Sequence, residues 1–445
     1  MKTRLFVNAG QVVTCAGPPR ARRGAEMGDM QARRDVAVLV SGATIAAVGA
    51  PDELERAHPD AERIDCGGGV LTPGLVDSHT HAVFGRARYD EQELRAAGVA
   101  YMEIARRGGG IHASVRDVRA RTEEELVAFA ESRLRRLASY GTTTVEVKSG
   151  YGLTVDDELK LLRAIAEVGR RVPMRVIPTW MGAHEIPPEY RAAPQGSASY
   201  VKMLVREMLP AITSPPAQEV DFDAYPGSTE RSGGDSAPLA RFADVFCEPG
   251  VFTVDQAREI LEASRRAGLG LKLHADELEP SGGAELAAQL GATSADHLAA
   301  ISEAGIAAIA ASTTVATLLP GTMLFLGRPR QAPARALIEA GAAVALATDF
   351  NPGTSPTVNF PLILTLGVSQ LHLSVAEAVI AATVNGAAAL GIADRVGQIA
   401  PGYSADLALF DCEDIRELPY WYGDRRCRGT WIRGEACHPF GPPVS

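Results

Sequence analysis

The chain of 445 residues is long enough for two or three domains, or for one large barrel with an accessory module. Hydrophobic residues make up 46% of it and charged residues 22%, which is an ordinary globular mixture and excludes a disordered or collagen-like protein. Its 54 acidic and 44 basic side chains give a formal charge of -10, which would repel a polyanion and therefore disfavours nucleic acid as a partner.

The sequence also predicts a protein without membrane helices or disulfides. No uninterrupted apolar stretch reaches the ~20 residues that a membrane helix needs. The first residues, MKTRLFVNAGQVV, alternate as a strand does and lack the long apolar run of a secretory signal, so we expect a cytoplasmic location. The six cysteines have no CxxC spacing, which indicates reduced thiols with packing roles.

Short alternating runs separated by Gly and Pro predict a small β module over residues 1–72. A similar pattern of short alternating runs recurs over 395–445, so the two terminal segments could pair in one composite β-sandwich domain. Between them, over 73–394, short apolar runs alternate with helical patterns, which is typical of βα units and a parallel sheet. Eight such runs follow one another: LVDSHTH, TTTVEVKSG, RVIPTWMGAH, ADVFCE, LGLKLHADE, TSADHL, TTVATLLP and AAVALATDF. Eight βα units predict a closed, TIM-like (β/α)8 barrel.

Several helices of this barrel carry start and stop signals. Thr122 with Glu125, and Thr253 with Gln256, have the spacing of capping boxes, whereas Gly141 and Gly268 lie where two helices should end. The Pro-, Gly- and Ser-rich stretch 213–239 is expected to be a surface loop or lid.

Four residues at the ends of predicted strands are candidate metal ligands. His79 and His81 close the first run, and side chains at positions i and i+2 of a strand point to the same side. His274 closes the fifth run and Asp349 follows the eighth, so all four would lie on one rim of the barrel. Three imidazoles and a carboxylate suit zinc or iron in a catalytic site. A core role for His274 and a helix-capping role for Asp349 are the alternatives.

Other residues at the same rim are candidates for catalysis and substrate binding. Glu277, three residues after His274, could serve as general acid and base. Asp276 could fill the same role, or either residue could instead cap the next helix. His297 could polarise a carbonyl or orient Asp349, or be a buried core histidine. Three further candidates lie at or after the ends of the first three runs: Arg88, Tyr151 and His184. Of these, Arg88 could hold a carboxylate.

The motifs HTHAVFGRAR, RRGGGI, VEVKSGYGL, FCEPGVF, KLHADEL, ADHL and LATDFNPGTSP together resemble those of the amidohydrolase superfamily and, within it, the imidazolonepropionase family of histidine degradation. The resemblance implies a metal-dependent amidohydrolase barrel with one Zn2+ or Fe3+ per subunit, bound by His79, His81, His274 and Asp349. It places Glu277 at substrate and catalytic water. It assigns further substrate contacts to Arg88, Tyr151, His184, Asn351, Gly353 and Thr354, and it implies a homodimer.

The implied reaction opens the cyclic amide of 4-imidazolone-5-propanoate to N-formimidoyl-L-glutamate by attack of a metal-bound hydroxide. In that reaction Glu277 or Asp349 would move the proton, His184 or His297 would stabilise the developing oxyanion, and Arg88 would hold the propanoate. The main alternative is a mononuclear aminohydrolase similar to cytosine or guanine deaminases, which combine the same ligands. A binuclear hydantoinase-type site is disfavoured because the fourth run lacks a lysine. Lys148, on the second run, could be structural or face the substrate.

Overall fold

A computed structural model describes residues 2–99, 103–104, 108–214 and 238–438 of the chain. Most of the stretch 213–239, which the sequence predicts to be a loop or lid, lies outside these residues. A search of the described helices found none with the length and apolarity needed to cross a bilayer.

Both termini contribute strands to two small sheets. The amino-terminal strands are β1 Thr3–Val7, β2 Gln11–Val13, β3 Ala32–Arg33, β4 Ala37–Ser41, β5 Thr44–Gly49, β6 Glu62–Asp65 and β7 Val70–Pro73. The carboxyl-terminal strands are β16 Leu407–Phe410, β17 Cys427–Ile432 and β18 Glu435–His438. One sheet has the order β5-β4-β1-β6 and the other β18-β17-β16-β7-β2-β3.

The terminal segments pair as the sequence suggested, because β7 lies antiparallel to β16 with Val70 opposite Phe410. Alternating apolar side chains of the two sheets share one core. Within it, the rings of Phe6 and Trp431 meet edge to face with their centroids 4.9 Å apart.

The centre of the molecule is one sheet of eight parallel strands in the order β15-β14-β13-β12-β11-β10-β9-β8. These strands are β8 Leu75–Asp77, β9 Thr142–Lys148, β10 Arg175–Ala183, β11 Phe242–Cys247, β12 Gly270–Ala275, β13 Ser294–His297, β14 Val315–Leu318 and β15 Ala343–Leu346. Each coincides with one of the eight apolar runs. The predicted fold class, a (β/α)8 barrel with a β domain formed by both termini, is therefore confirmed. The boundaries 1–72, 73–394 and 395–445 stay a prediction.

Helices follow the barrel strands. The described α-helices are α1 Pro51–Ala57, α2 Tyr89–Ala96, α3 Ile111–Ala120, α4 Glu123–Ala138, α5 Val155–Arg171, α6 Pro188–Arg191, α7 Gly196–Met203, α8 Leu209–Thr213, α9 Val254–Arg266, α10 Gly283–Leu290, α11 Glu303–Ala311, α12 Pro320–Phe325, α13 Ala334–Glu339, α14 Phe360–Ser369, α15 Val375–Ala382, α16 Val384–Ala388 and α17 Glu417–Tyr420. A short 3-10 helix spans Gly24–Gly28 and a π-helical turn spans Leu204–Met208.

Two predicted helix starts and stops are confirmed. Thr122 and Thr253 form capping boxes at the starts of α4 and α9. Gly141 and Gly268 follow the ends of these helices with φ values of +97° and +89°, a backbone region that favours glycine.

The barrel closes between its first and last strands through a buried carboxylate. Asp77, at the end of β8, accepts a hydrogen bond from Thr348 N (3.0 Å) and another from the Thr348 hydroxyl (2.6 Å). Immediately beyond, Asp349 N donates to the His79 carbonyl at 3.0 Å. The seam therefore joins the two loops that carry the candidate ligands His79 and Asp349.

The arginine-rich stretch after β2 fastens the opposite end of the barrel. The Arg23 guanidinium donates to the carbonyls of Ala310 and Ser312, at the end of α11, and to the carbonyl of Gly341, 3.0 Å away. Gly24 N donates to the Ala342 carbonyl at 3.1 Å, just before β15 begins. A cation at the carboxyl end of a helix satisfies carbonyls that the helix itself leaves without partners.

We expect Arg23→Ala to lower the free energy of unfolding by about 2–4 kcal/mol, because three carbonyls lose a charged donor. Urea unfolding followed by fluorescence and circular dichroism measures the loss. Arg20→Ala is the matched control, since Arg20 is exposed and pairs locally with Glu26. Equal losses of unfolding free energy in the two variants would contradict a stabilising role for the Arg23 hydrogen bonds.

Candidate metal centre

The four candidate ligands come together at the carboxyl rim of the barrel. Possible ligand atoms of His79, His81 and His274 lie within 4.8 Å of one another. Asp349 Oδ1 lies 3.5 Å from His79 Nε2 and 3.7 Å from His81 Nε2. All four residues are at most 3% exposed. The structure thus brings together side chains that are up to 270 positions apart in the sequence (Asp349 minus His79).

These residues fit a metal ion by their chemistry. Burial lowers the pKa values of His79 and His81 well below the usual range, and neighbouring cationic groups lower them further, so both imidazoles are neutral. Within the described chain, the buried Nε2 of His79 has no hydrogen-bond partner. A neutral imidazole with an unused lone pair is the form that ligates zinc or iron. The fold and this donor set support a metal cofactor.

Two buried carboxylates orient these imidazoles from behind. His79 Nδ1 lies 2.7 Å from Asp296 Oδ2, and His274 Nδ1 lies 3.0 Å from Asp244 Oδ2. A proton on each Nδ1 leaves the lone pair on Nε2, facing the cluster. Asp244 and Asp296 are fully buried on β11 and β13.

Sequence reasoning left a structural or a substrate-facing role open for Lys148, and it missed these two carboxylates together with Glu146 and Lys272. Lys148 Nζ lies 2.7 Å from Asp244 Oδ2 and 2.8 Å from Glu146 Oε2, and Lys272 Nζ lies 3.7 Å from Glu146 Oε1. We call these five residues the barrel network: Glu146, Lys148, Asp244, Lys272 and Asp296. Their spacing was an available signal, because side chains two positions apart in a strand point to the same side. Glu146 and Lys148 have this spacing on β9, as Lys272 and His274 do on β12.

The backbone around the rim adopts conformations that L-residues rarely take. Asp276, His297 and Asp349 have φ values of +49°, +77° and +50°. Such strain is retained where the surroundings impose it and is common at functional sites. Here it directs the side chains that follow the ends of β12, β13 and β15.

Glu277 and His297 lie next to each other at this rim. Glu277 Oε2 is 3.7 Å from His297 Nδ1. Burial raises the pKa of Glu277 to about 8, and the negative charges of Asp349 and Glu248 contribute to the increase. A carboxyl group with this pKa can both accept and donate a proton near neutral pH.

Arg88 is held among the first and last βα loops. It is 8% exposed, its backbone N donates to the Pro352 carbonyl at 2.9 Å, and its Nη1 lies 3.3 Å from Ser114 Oγ. A Cβ placed on Gly353 would lie 1.5 Å from Arg88 Nη2. Gly353 therefore leaves the space that the guanidinium occupies.

The loop that contains Gly353 is stabilised by Asn351. Its side-chain oxygen accepts from the backbone N atoms of Gly353 (2.9 Å) and Thr354 (2.7 Å), and its amide donates to the Asp349 carbonyl at 2.7 Å. The contacts that the structure gives for Asn351 thus shape the turn around Arg88.

Tyr151 and His184 form an aromatic wall next to the ligands. The His184 ring stacks on the His81 ring, with 4.9 Å between the ring centroids and 20° between the ring planes. The centroids of the Tyr151 and His184 rings are 5.3 Å apart. His184 Nδ1 is 3.0 Å from the Gly150 carbonyl. Burial lowers the pKa of His184 to about 3, so the ring is neutral and its Nε2 is a hydrogen-bond acceptor.

Comparisons with known proteins agree with this architecture. The family model described as "Amidohydrolase family" matches residues 100–438, and that described as "Imidazolonepropionase-like composite domain, bacteria" matches residues 37–61. The imidazolonepropionase of Bacillus velezensis is 44% identical over 97% of this chain and 96% of that protein. That of Symbiobacterium thermophilum is 46% identical over 94% and 93%, respectively.

The chain belongs to the imidazolonepropionase family of amidohydrolases. This confirms the resemblance and the predicted enzyme class, and the deaminase alternative is not favoured. Among solved structures, a zinc-bound adenosine deaminase from Xanthomonas campestris matches with a TM-score of 0.68 and 19% identity, over 98% of this chain and 93% of that chain. Ochratoxinase from A. niger matches with a TM-score of 0.64 and 17% identity, over 100% and 97%. These two likenesses show the shared fold alone.

We expect His274→Ala to lose most of the bound metal, because one of the clustered imidazoles is removed. Metal per chain, measured by plasma mass spectrometry after gel filtration, should fall at least about tenfold. His372→Ala is the matched control, since His372 is exposed and should leave the metal content unchanged. Full metal content in the His274 variant would refute the assigned centre.

Proposed function

We propose that this chain hydrolyses 4-imidazolone-5-propanoate to N-formimidoyl-L-glutamate with one Zn2+ or Fe3+ held by His79, His81, His274 and Asp349. The supporting observation is the cluster of these four residues in a chain 44–46% identical, over nearly its full length, to proteins named imidazolonepropionase. A cytoplasmic location and a homodimer complete the proposal and remain predictions from the sequence.

When bound, the metal ion would supply Lewis acidity, which activates water and polarises a carbonyl group. Imidazole and carboxylate groups are ligand types that suit zinc or iron, so His79, His81, His274 and Asp349 could hold such an ion. Of these ligands, His274 lies within β12, whereas His79 and His81 follow the end of β8 and Asp349 follows the end of β15.

Arg88 would bind the propanoate tail of the substrate. A guanidinium matches a carboxylate with two parallel hydrogen bonds, and this match is stronger in a buried setting. Arg88 is buried, yet it is near enough to His184 that its charge contributes to the lowered pKa of that ring. The carboxylate would thus lie near His184, in the aromatic wall next to the candidate ligands.

Glu277 would carry the proton that the reaction moves. Hydrolysis requires one proton to leave the attacking water and one to reach the ring nitrogen that departs. A group with a pKa raised toward neutrality can do both in turn. Asp349, whose pKa burial raises to about 6, is the second candidate for this transfer.

The two non-ligand histidines would have different hydrogen-bonding roles. Because His184 Nδ1 donates to the Gly150 carbonyl, its Nε2 presents a lone pair and suits an N–H group of the imidazolone ring. His297 has no such backbone partner among the described residues, and its Nδ1 lies 3.7 Å from Glu277. This favours His297 over His184 as the donor that stabilises the developing oxyanion.

The decisive assay mixes metal-loaded protein with freshly generated 4-imidazolone-5-propanoate and follows the loss of ultraviolet absorbance. We expect a rate well above the spontaneous decay and stoichiometric N-formimidoyl-L-glutamate, because the site holds both a metal cluster and a carboxylate-binding arginine. Cytosine and guanine, with ammonia release as the readout, serve as control substrates. Decay at the spontaneous rate would refute the proposal, and ammonia from a control substrate would support the deaminase alternative.

We expect Arg88→Ala mainly to raise KM, by roughly 10- to 100-fold, and Glu277→Gln mainly to lower kcat, by roughly 100- to 10,000-fold. The difference follows because Arg88 would contact an unreacting tail, whereas Glu277 would act on the reacting atoms. Steady-state kinetics of both variants measures it. Arg86→Ala is the control, since Arg86 is exposed and pairs with Asp90. Small, equal effects of the Arg88 and Glu277 variants would contradict these roles.

A further inference from the structure

Glu248, in the FCEPGVF motif immediately after β11, is a buried carboxylate that none of the roles above uses. It is 2% exposed. Its Oε2 accepts a hydrogen bond from Glu277 N at 3.1 Å, and its Oε1 accepts from Leu278 N at 3.2 Å and Glu279 N at 2.8 Å. One carboxylate thus binds three consecutive peptide N–H groups on the neighbouring βα loop.

The carboxylate of Glu277 depends on its backbone for its position. Among the described residues, the ion pair that the structure gives for this carboxylate is with His297 Nδ1 at 3.7 Å, which is too long for a hydrogen bond. The preceding residue, Asp276, has a φ of +49° and accepts hydrogen bonds from Ser281 N and Ala284 N. Asp276 therefore fixes the far side of the loop, and Glu248 fixes the part that carries Glu277.

Glu248 also acts on Glu277 through its charge. It is one of the negative groups that, after burial, raise the pKa of Glu277 toward neutrality. Removal of Glu248 would therefore change both the placement of the Glu277 carboxylate and the ease with which it holds a proton.

We propose that Glu248 is a positioning residue for the hydrolysis: it binds the peptide N–H of Glu277 and of the next two residues, and thereby holds the Glu277 carboxylate where it can transfer a proton. This inference rests on the proposed function, in which Glu277 moves the proton. A misplacement of a reacting group by about 1 Å can slow a reaction by roughly 100-fold.

Glu248→Gln is the sharpest test because it preserves shape. Its amide oxygen can still accept from Leu278 N and Glu279 N, but its NH2 group then faces Glu277 N, donor against donor. We expect kcat to fall roughly 10- to 100-fold, KM to stay within about twofold, and metal content to stay unchanged. Hydrogen exchange of the Glu277–Glu279 amides, followed by mass spectrometry, should become faster.

A double-mutant cycle separates positioning from a general structural effect. If Glu248 acts through Glu277, the variant with both Glu248→Gln and Glu277→Gln should be about as slow as Glu277→Gln alone. Glu279→Gln is the matched control, because the Glu279 side chain is exposed and the substitution leaves its N–H in place. Glu248→Asp, which keeps the charge, should recover part of the lost kcat, and it replaces the Gln variant in the cycle if that variant fails to fold.

Three results would overturn the inference: an unchanged kcat in the Glu248 variant, a loss confined to KM, or losses that multiply in the double variant. If the wild-type protein does not hydrolyse the imidazolone, the proposed function fails. The hydrogen-exchange experiment then still decides whether Glu248 holds the Glu277 loop.

Discussion

The structure depends on a group of charges sealed inside the barrel. Lys148 contacts Glu146 and Asp244 within 2.8 Å, and all members of the barrel network are fully or almost fully buried. Burial alone would lower the pKa of Lys148, but the surrounding carboxylates outweigh it and raise that pKa. Two lysines and three carboxyl groups make up the network, and burial raises the pKa of one of these carboxyl groups, that of Glu146. Charges that cannot be hydrated must pair with one another, so the network fixes the strands that contribute to it.

This network connects the interior of the barrel to the metal centre. Asp296 hydrogen-bonds to Nδ1 of the candidate ligand His79, Asp244 Oδ2 lies 3.0 Å from Nδ1 of the candidate ligand His274, and both carboxylates pair with Lys148. Each carboxylate is thus oriented before a metal binds, and each imidazole is held in the tautomer that ligates. Within the candidate centre, His274 lies on β12 in this packed sheet, whereas His79, His81 and Asp349 lie in the loops just after β8 and β15.

The sequence predicted those parts of the fold and site that leave a local pattern. The eight apolar runs became β8–β15, and the residues that end them, such as His79 and His274, form the cluster. The barrel network was missed because a charged residue within a strand gives the same local sequence pattern whether its side chain faces water or a buried partner. Here the partners lie on other strands. Glu248 was not singled out in the FCEPGVF motif for the same reason, because its partners lie on the next βα loop. Arg23 lies in a stretch without a periodic sequence pattern. Its three hydrogen bonds to carbonyl groups could therefore be seen only in the structure.

Buried carboxylates bind the peptide N–H groups of two loops at the rim of the barrel, those that carry Tyr151 and Glu277. A βα loop has peptide N–H groups without ladder partners, and a site that excludes water cannot leave them to the solvent. Glu158 accepts from Gly150 N, Gly152 N and Leu153 N, and so holds the loop that carries Tyr151. Glu248 does the same for the loop of Glu277. An anion that binds several peptide N–H groups supplies their hydrogen-bond acceptor and stiffens the loop. These loops can therefore be irregular in shape and still place a side chain with the precision of a strand.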